Sequence, residues 1–320
     1  MRTKGFACFA CLIAAAASLG LGAAELSLAE LLSGTATTAG RIFWYVRVPR
    51  TAACLLAGAA LSAAGCVIQN VLANPLASPN IIGVNAGAGL AVTICCALGA
   101  LSGWTMAAAA FCGAFLAVLA VSAAARLVGA SRTTVILAGV AVNAFLGAIS
   151  DTVTNLVPDA AILSSDFRVG GFGAVTTARL VPAGILILLA LGAVLLLANE
   201  LELLSLGAET ARSLGLNAER MRTVFLALAA VLCGAAVSFA GLLGFVGLIV
   251  PHAVRRFAGT RCRALLPLCA LWGAAFVTVC DILARLAFRP KELPVGVLLS
   301  ALGGPFFLYI LSKRGRPNGC

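Results

Sequence analysis

A single histidine, two acids inside apolar runs and one closely spaced cysteine pair are the residues of this 320-residue chain whose types and positions invite a chemical reading. His252 has no carboxylate near it in sequence to orient it as a base, and the acids are scattered about one per loop, so no catalytic constellation forms. A phosphate-binding loop needs Gly followed by Lys and Ser or Thr, whereas Lys4, Lys291 and Lys313 follow Thr3, Pro290 and Ser312. The chain therefore carries no nucleotide-hydrolysing loop of its own. Ion coupling would need an ionisable group near a bilayer midplane, where charge is costly and hence usually functional. Asp281 stands one helical turn before Arg285, so a local pair can neutralise it. Asp151 lies near the outer end of its apolar run, where it either reaches water or serves coupling. Cys8 and Cys11 form C-x-x-C without a surrounding redox-domain pattern, and Cys54, Cys66, Cys112, Cys233 and Cys280 read as small buried hydrophobes.

The elements that hold these residues are set by composition. Hydrophobic residues make up 62% of the chain and charged ones 10%, which excludes a soluble enzyme of one or two domains. The reading is an all-α polytopic membrane protein of about ten helices, predicted at 6–24, 50–72, 83–101, 104–125, 135–157, 180–199, 223–243, 245–256, 265–287 and 294–312. The net charge of +11 arises from short clusters between apolar runs, so it orients the chain in a bilayer and does not point to nucleic acid. Arg2/Lys4, Arg126/Arg132, Arg212/Arg220/Arg222, Arg255/Arg256/Arg261/Arg263 and Lys313/Arg314/Arg316 fall on one side, which the positive-inside rule makes the cytoplasm, with both termini there. Basic Met1–Lys4, apolar 6–19 and small residues 22–24 fit either a cleaved signal peptide or an uncleaved first span; the many later spans favour the second.

Arg222 and Arg255 must both be cytoplasmic, yet the apolar stretch between them is about 48 Å long as helix, against about 60 Å for two crossings. One limb must be short or broken, and Gly241, Gly244, Gly247 and Pro251 put the break in the second. Residues 58–65 (GAALSAAG) and 234–241 (GAAVSFAG) nearly repeat each other, and each is followed by a proline, Pro75 and Pro251. On this topology the copies run in opposite directions, as in alternating-access folds, although small residues also simply permit close helix packing. Gln69, Asn70, Asn74, Asn85 and Asn143 either line a low-affinity conduit or bond across helices.

The segment 200–222 is long and amphipathic. Leu203, Leu206, Thr210 and Leu214 share a helical face, with Gly207 and Gly215 dividing it into two short helices. A ridge rimmed by Glu200, Glu202, Glu209 and Glu219 suits a soluble partner better than a lipid surface. Arg47, Arg50 and Arg285 lie on the outer side, against the charge bias, and either meet an acidic partner or snorkel to headgroups.

Five ordered motifs, RVPRT (47–51), NPLASPNIIGVNAG (74–87), LSLGAETARSLG (204–215), GFVGLIVPH (244–252) and ELPVG (292–296), resemble those of FecCD-type permeases, the membrane subunits of type II ABC importers for ferric siderophores, haem and cobalamin. The resemblance covers residues 41–315; residues 1–40 add a first span and an external segment, and the whole of 1–320 is one permease domain. It implies a ten-span inner-membrane subunit paired with a second copy or a homologous subunit, two ATPase subunits that bind ATP-Mg, a periplasmic binding protein, and no cofactor or metal on this chain. It further implies that Leu204, Leu206, Gly207, Glu209, Arg212, Leu214 and Gly215 engage the ATPase and that Arg47, Arg50 and Arg285 receive the binding protein. Pathway residues and helix breaks are expected at Asn70, Asn74, Pro75, Gly83, Asn85, Gly87, Gly244, Gly247, Pro251 and His252. Gly303-Gly304-Pro305 departs from the family's usual Gly-Ala-Pro, which should loosen the last helix slightly. The competing class is an ion-coupled secondary transporter, separated by whether transport requires ATP or an ion gradient.

Overall fold

The computed structural model describes residues 2–22, 37–129, 131–288 and 291–314, which form helices and no strand. The principal helices are α1 (Arg2–Gly20), α2 (Val48–Val71), α3 (Val84–Ala97), α4 (Gly103–Leu127) and α5 (Arg132–Leu156). They continue with α6 (Thr177–Leu196), α7 (Ala218–Ala240), α8 (Val246–Ala258), α9 (Cys262–Leu286) and α10 (Val295–Arg314). Among the described residues seven segments, those of α1, α2, α4, α5, α6, α7 and α9, are long and apolar enough to cross a membrane, whereas α3, α8 and the apolar part of α10 (Val295–Ile310) are shorter. Each of the ten predicted spans contains one of these helices. Residues 23–36 of the predicted first span and external segment (1–40), and Arg316 of the last basic cluster, lie outside the described residues.

Helix starts follow local capping chemistry. The Ser102 and Ser131 hydroxyls accept from the amides of Thr105 and Thr134 at 3.2 and 3.0 Å, and the Asn217 side chain accepts from Arg220 at 3.0 Å. Each cap satisfies an amide that the first helical turn leaves over. Gly83 opens α3 at φ +92°, a left-handed conformation that a side chain disfavours.

Helix α2 is the axis of the bundle, packed against α9, α7, α8 and α6. It can sit there because its neighbours approach to backbone distance. A Cβ at Gly58 would lie 2.2 Å from the Gly273 carbonyl of α9, and one at Gly65 would lie 2.0 Å from the Gly247 carbonyl of α8. Where lipid is as apolar as a leucine side chain, close van der Waals contact of this kind takes over from hydrophobic burial as the force between helices. The first predicted repeat thus supplies a packing seam, and the second ends in the chain break itself.

That break is where length arithmetic put it. α7 ends at Ala240, Gly241 takes φ +70°, and α8 resumes at Val246 after Phe245 at φ +64°. The 13 residues of α8 rise only about 20 Å, well short of a ~30 Å hydrocarbon core. Non-helical backbone at such depth must find partners within the protein. Two short helices, Pro158–Leu163 and Ser165–Val169, bring them. Gly171 donates to the Ala240 carbonyl at 2.8 Å, and Leu242 donates to Phe167 at 2.9 Å. Phe245 in turn rests on Gly303 of α10, where a Cβ would lie 2.1 Å from its ring, while Gly304 faces open space and α10 runs through both.

These contacts make two glycines on different helices respond in opposite ways. Gly58→Leu forces α2 from α9 and should cost more than the ~1–3 kcal/mol of ordinary overpacking, whereas Gly304→Ala should gain about 0.5–1 kcal/mol of helix stability. Thermal unfolding of the purified variants in detergent checks both signs.

Candidate functional site

The functional expectations divide between the two ends of the bundle. At the end expected to face outward, the first turn of α2 and the last turns of α9 meet because those helices run antiparallel. Arg50 reaches Asp281 with Nη2–Oδ1 at 2.9 Å and with Nε at 3.1 and 3.2 Å from the two oxygens, and its Nη1 lies 2.6 Å from Glu292 Oε2. Arg285 Nε holds the other Asp281 oxygen at 3.0 Å, the one-turn pair read from sequence. Asp281 is 0% exposed. Two arginines and two carboxylates therefore form a neutral cluster, which is the condition for keeping charge in a low-dielectric interior.

The three outer arginines do not present a charged surface. Arg47 and Arg285 are 4% and 3% exposed, and they are used at the C-terminus of α1. Arg47 donates to the carbonyls of Leu19 and Gly20 at 2.9 and 2.8 Å, and Arg285 to Leu21 at 3.1 Å and to the Ser18 hydroxyl at 2.9 Å. They satisfy carbonyls that the helix end leaves over and oppose its dipole. All three arginines expected to receive a binding protein are thus engaged within this chain, Arg47 and Arg285 at the end of α1 and Arg50 with Asp281 and Glu292. Arg50 lines a cleft of about 570 Å³ whose wall also includes Asp166, Phe167, Arg179, Phe239 and Glu292. Sequence reading named Glu292 only within a motif and missed Arg168, which ties α3 to α5 by donating to Thr93 and Ser150 at 3.1 and 2.9 Å.

At the opposite end, the segment after α6 forms two short helices, Ala198–Ser205 and Ala208–Ser213, broken at Gly207 (φ +118°) and closed at Gly215 (φ +84°). Leu206 and Leu214 stand 60% and 58% exposed, with Thr210 and Glu209 also exposed and Leu203 half-buried. Arg212 pairs with Glu219 at 2.9 Å on the surface. Leu204 departs from the expected contact set: its side chain is in the core, and its carbonyl accepts from Arg132 at 3.1 Å. It anchors the hairpin, and Leu206 and Leu214 are its offered ridge.

The cleft is lined by none of the residues expected along a path. Asn70 bonds the Cys66 carbonyl at 2.7 Å, Asn74 accepts from Leu76 in the turn that holds half-buried Pro75, and Asn143 bonds the Asn80 carbonyl at 2.8 Å. Gln69 donates to the Gly247 carbonyl at 3.0 Å and accepts from Arg255, tying α2 to α8. Most of these amides therefore hold backbone, the second of the two roles left open by sequence. Gly87 packs against Gly113 of α4, half-buried Asn85 lies beside it on α3, and Gly244 sits in the break. Pro251 is buried within α8, and His252 meets Phe306 of α10 edge-on at 5.9 Å. Asp151 is exposed on α5. Among the described residues no group of three or more His, Cys, Asp or Glu side chains could hold a metal.

Comparison with known proteins gives this arrangement a context. The FecCD transport family matches residues 10–313. The chain is 36% identical to the hemin transport system permease protein HmuU of Yersinia pestis, over 98% of this chain and 97% of that one. It is 38% identical to the vitamin B12 import system permease protein BtuC of Shigella sonnei, over 88% and 86%. A solved inward-facing metal-chelate type ABC transporter superposes with a TM-score of 0.87 at 26% identity, covering 98% of this chain and 99% of that one.

The outer cluster separates a buried charge from a peripheral one. Asp281→Ala leaves the buried Arg285 guanidinium without its carboxylate and Arg50 with Glu292 alone, and should destabilise by about 3–5 kcal/mol, while Glu292→Gln, at the exposed edge, should cost about 0–1 kcal/mol. Denaturation of the two variants side by side measures the difference.

Proposed function

Because the chain belongs to the FecCD transport family, we propose that it is the membrane-spanning permease subunit of an ATP-driven importer that moves an iron chelate, a ferric siderophore, haem or cobalamin, from a binding protein to the cytoplasm. The observation that carries the ATP-driven part is the hairpin with exposed Leu206 and Leu214. Each leucine is worth about 1.5–3 kcal/mol when buried, so a partner with a matching cleft gains from covering them, and Glu209 and Arg212 set its register. The partner in this reading is an ATPase pair holding ATP-Mg. The basic clusters on the hairpin's side make that side cytoplasmic and put both termini there.

A second permease copy, or a homologous subunit, completes the pathway in this account. Apolar side chains along α5 and α10, among them Leu137, Val140, Phe145 and Leu308, stand exposed on the single chain and are available to lipid or to such a copy. The outer cleft is the surface that receives the binding protein. Arg50 and Arg179 are its basic elements and Asp166 and Glu292 its exposed acids, so an incoming carboxylate would exchange with Glu292 on Arg50, and Arg47 and Arg285 support the α1 end beneath. The ion-coupled alternative is disfavoured by the neutral cluster around Asp281, which holds that carboxylate in two ion pairs.

Leu206→Asp with Leu214→Asp should leave membrane insertion and unfolding temperature unchanged but cut ATP-dependent uptake in proteoliposomes at least about tenfold, equivalent to about 1.4 kcal/mol. Gly207→Val should do the same through its positive φ. Undiminished uptake in these variants, or uptake driven by an ion gradient without ATP, would contradict the assignment.

A further inference from the structure

The basic end of the bundle holds a second group of charges that the transport reading does not use. Arg126 at the end of α4, Arg132 at the start of α5 and Arg222 in the first turns of α7 converge where three helices meet. Arg126 donates to the Thr223 hydroxyl at 2.5 Å, and Arg132 and Arg212 lie within electrostatic reach of Arg222. The acid facing them is Glu219, which shares its charge with Arg212 at 2.9 Å. Positive charge is therefore in excess. Between Arg126 and Arg222 lies a small recess of about 30 Å³, lined also by Ser122, Ala125, Val135, Thr223, Leu226 and Glu219, whose carboxylate Arg212 pairs, with room for one phosphate oxygen to enter.

What leads away from the recess indicates the rest of the ligand. Cys112, Leu116, Leu119, Ala123 and Arg126 are exposed at alternating spacings of four and three residues along α4, which places them on one face. That face is apolar until it ends at Arg126. A free phosphate has no use for such a stripe, whereas a phospholipid presents an anionic phosphate at one end and apolar chains along the other. Basic pockets between helices at a membrane interface suit anionic headgroups.

We propose that the recess between Arg126 and Arg222, continued by the exposed face of α4, is a binding site for an anionic phospholipid, the phosphate held by the two guanidinium groups and an acyl chain laid along α4. Arg132 ties this site to the hairpin anchor, since it donates to the Leu204 carbonyl. The lipid would thereby brace the hairpin from the membrane side. The inference concerns this chain alone and stands whether or not the hairpin meets an ATPase.

The test is native mass spectrometry of the full chain, purified in detergent and supplied with phosphatidylglycerol or phosphatidylcholine. Wild type should retain phosphatidylglycerol preferentially, and retention should weaken with salt. Arg126→Gln, at an exposed position that leaves the fold untouched, should lower retention roughly fivefold, with a similar further loss on Arg222→Gln. Arg261→Gln, in another basic cluster, should change nothing. Equal retention of the two lipids, or retention indifferent to Arg126, overturns the proposal. Inorganic phosphate that binds with the same arginine dependence while no lipid preference exists would reassign the recess to a free anion. An Arg126→Gln variant that keeps its lipid but loses an ATPase partner would make the surface a protein contact instead.

Discussion

A carboxylate with no exposure to solvent, Asp281, stands between two guanidinium groups, and the outer half of the bundle depends on its position. Arg50 and Asp281 lie 231 residues apart, so their pairing fixes α2 against α9 at one end. Arg285 extends the same cluster to the end of α1 through Ser18 and Leu21. Burying any one of these charges alone would be prohibitive. Together they are neutral, and Arg50 and Glu292 reach the wall of the cleft.

Farther along the same pair of helices, glycine replaces charge as the means of contact. Gly58 and Gly273 bring α2 and α9 to backbone distance, and Gly65 and Gly247 do so for α2 and α8. The short α8 is tolerated because the 165–171 stretch supplies hydrogen bonds to the broken chain on its outer side, while Gln69 and Arg255 tie its inner half to α2. A rigid α2 axis thus connects the outer charge cluster with the region beside the hairpin. In the proposed function, that connection lets the two ends respond to different partners.

Much of this was legible in sequence where one-dimensional rules suffice. Apolar runs and their charged borders located the spanning helices, most to within a few residues, although the second segment starts at Thr38 and not at residue 50, and the Arg222-to-Arg255 distance required one short or broken limb. Gly207 and Gly215 marked the hairpin because few other residues adopt positive φ. What depended on tertiary proximity was not legible. Arg47 looks like a surface charge until the end of α1 arrives beside it, and Arg50 gives no sign of Asp281. Asn70 and Asn74 read equally as pathway or as backbone support, and their partners decide. Leu204 and Leu206 are two residues apart on an amphipathic segment, and only the break at Gly207 assigns one to the core and the other to the ridge.

The central claim is that this chain is the membrane half of an assembly driven by separate ATPase subunits. The most direct measurement is the intact mass of the complex extracted after co-expression with a candidate ATPase. The account predicts two copies of this chain, or this chain with one homologous permease, retained with two ATPase subunits. Recovery of the chain with no ATPase bound, together with uptake that persists on an ion gradient alone, would contradict it.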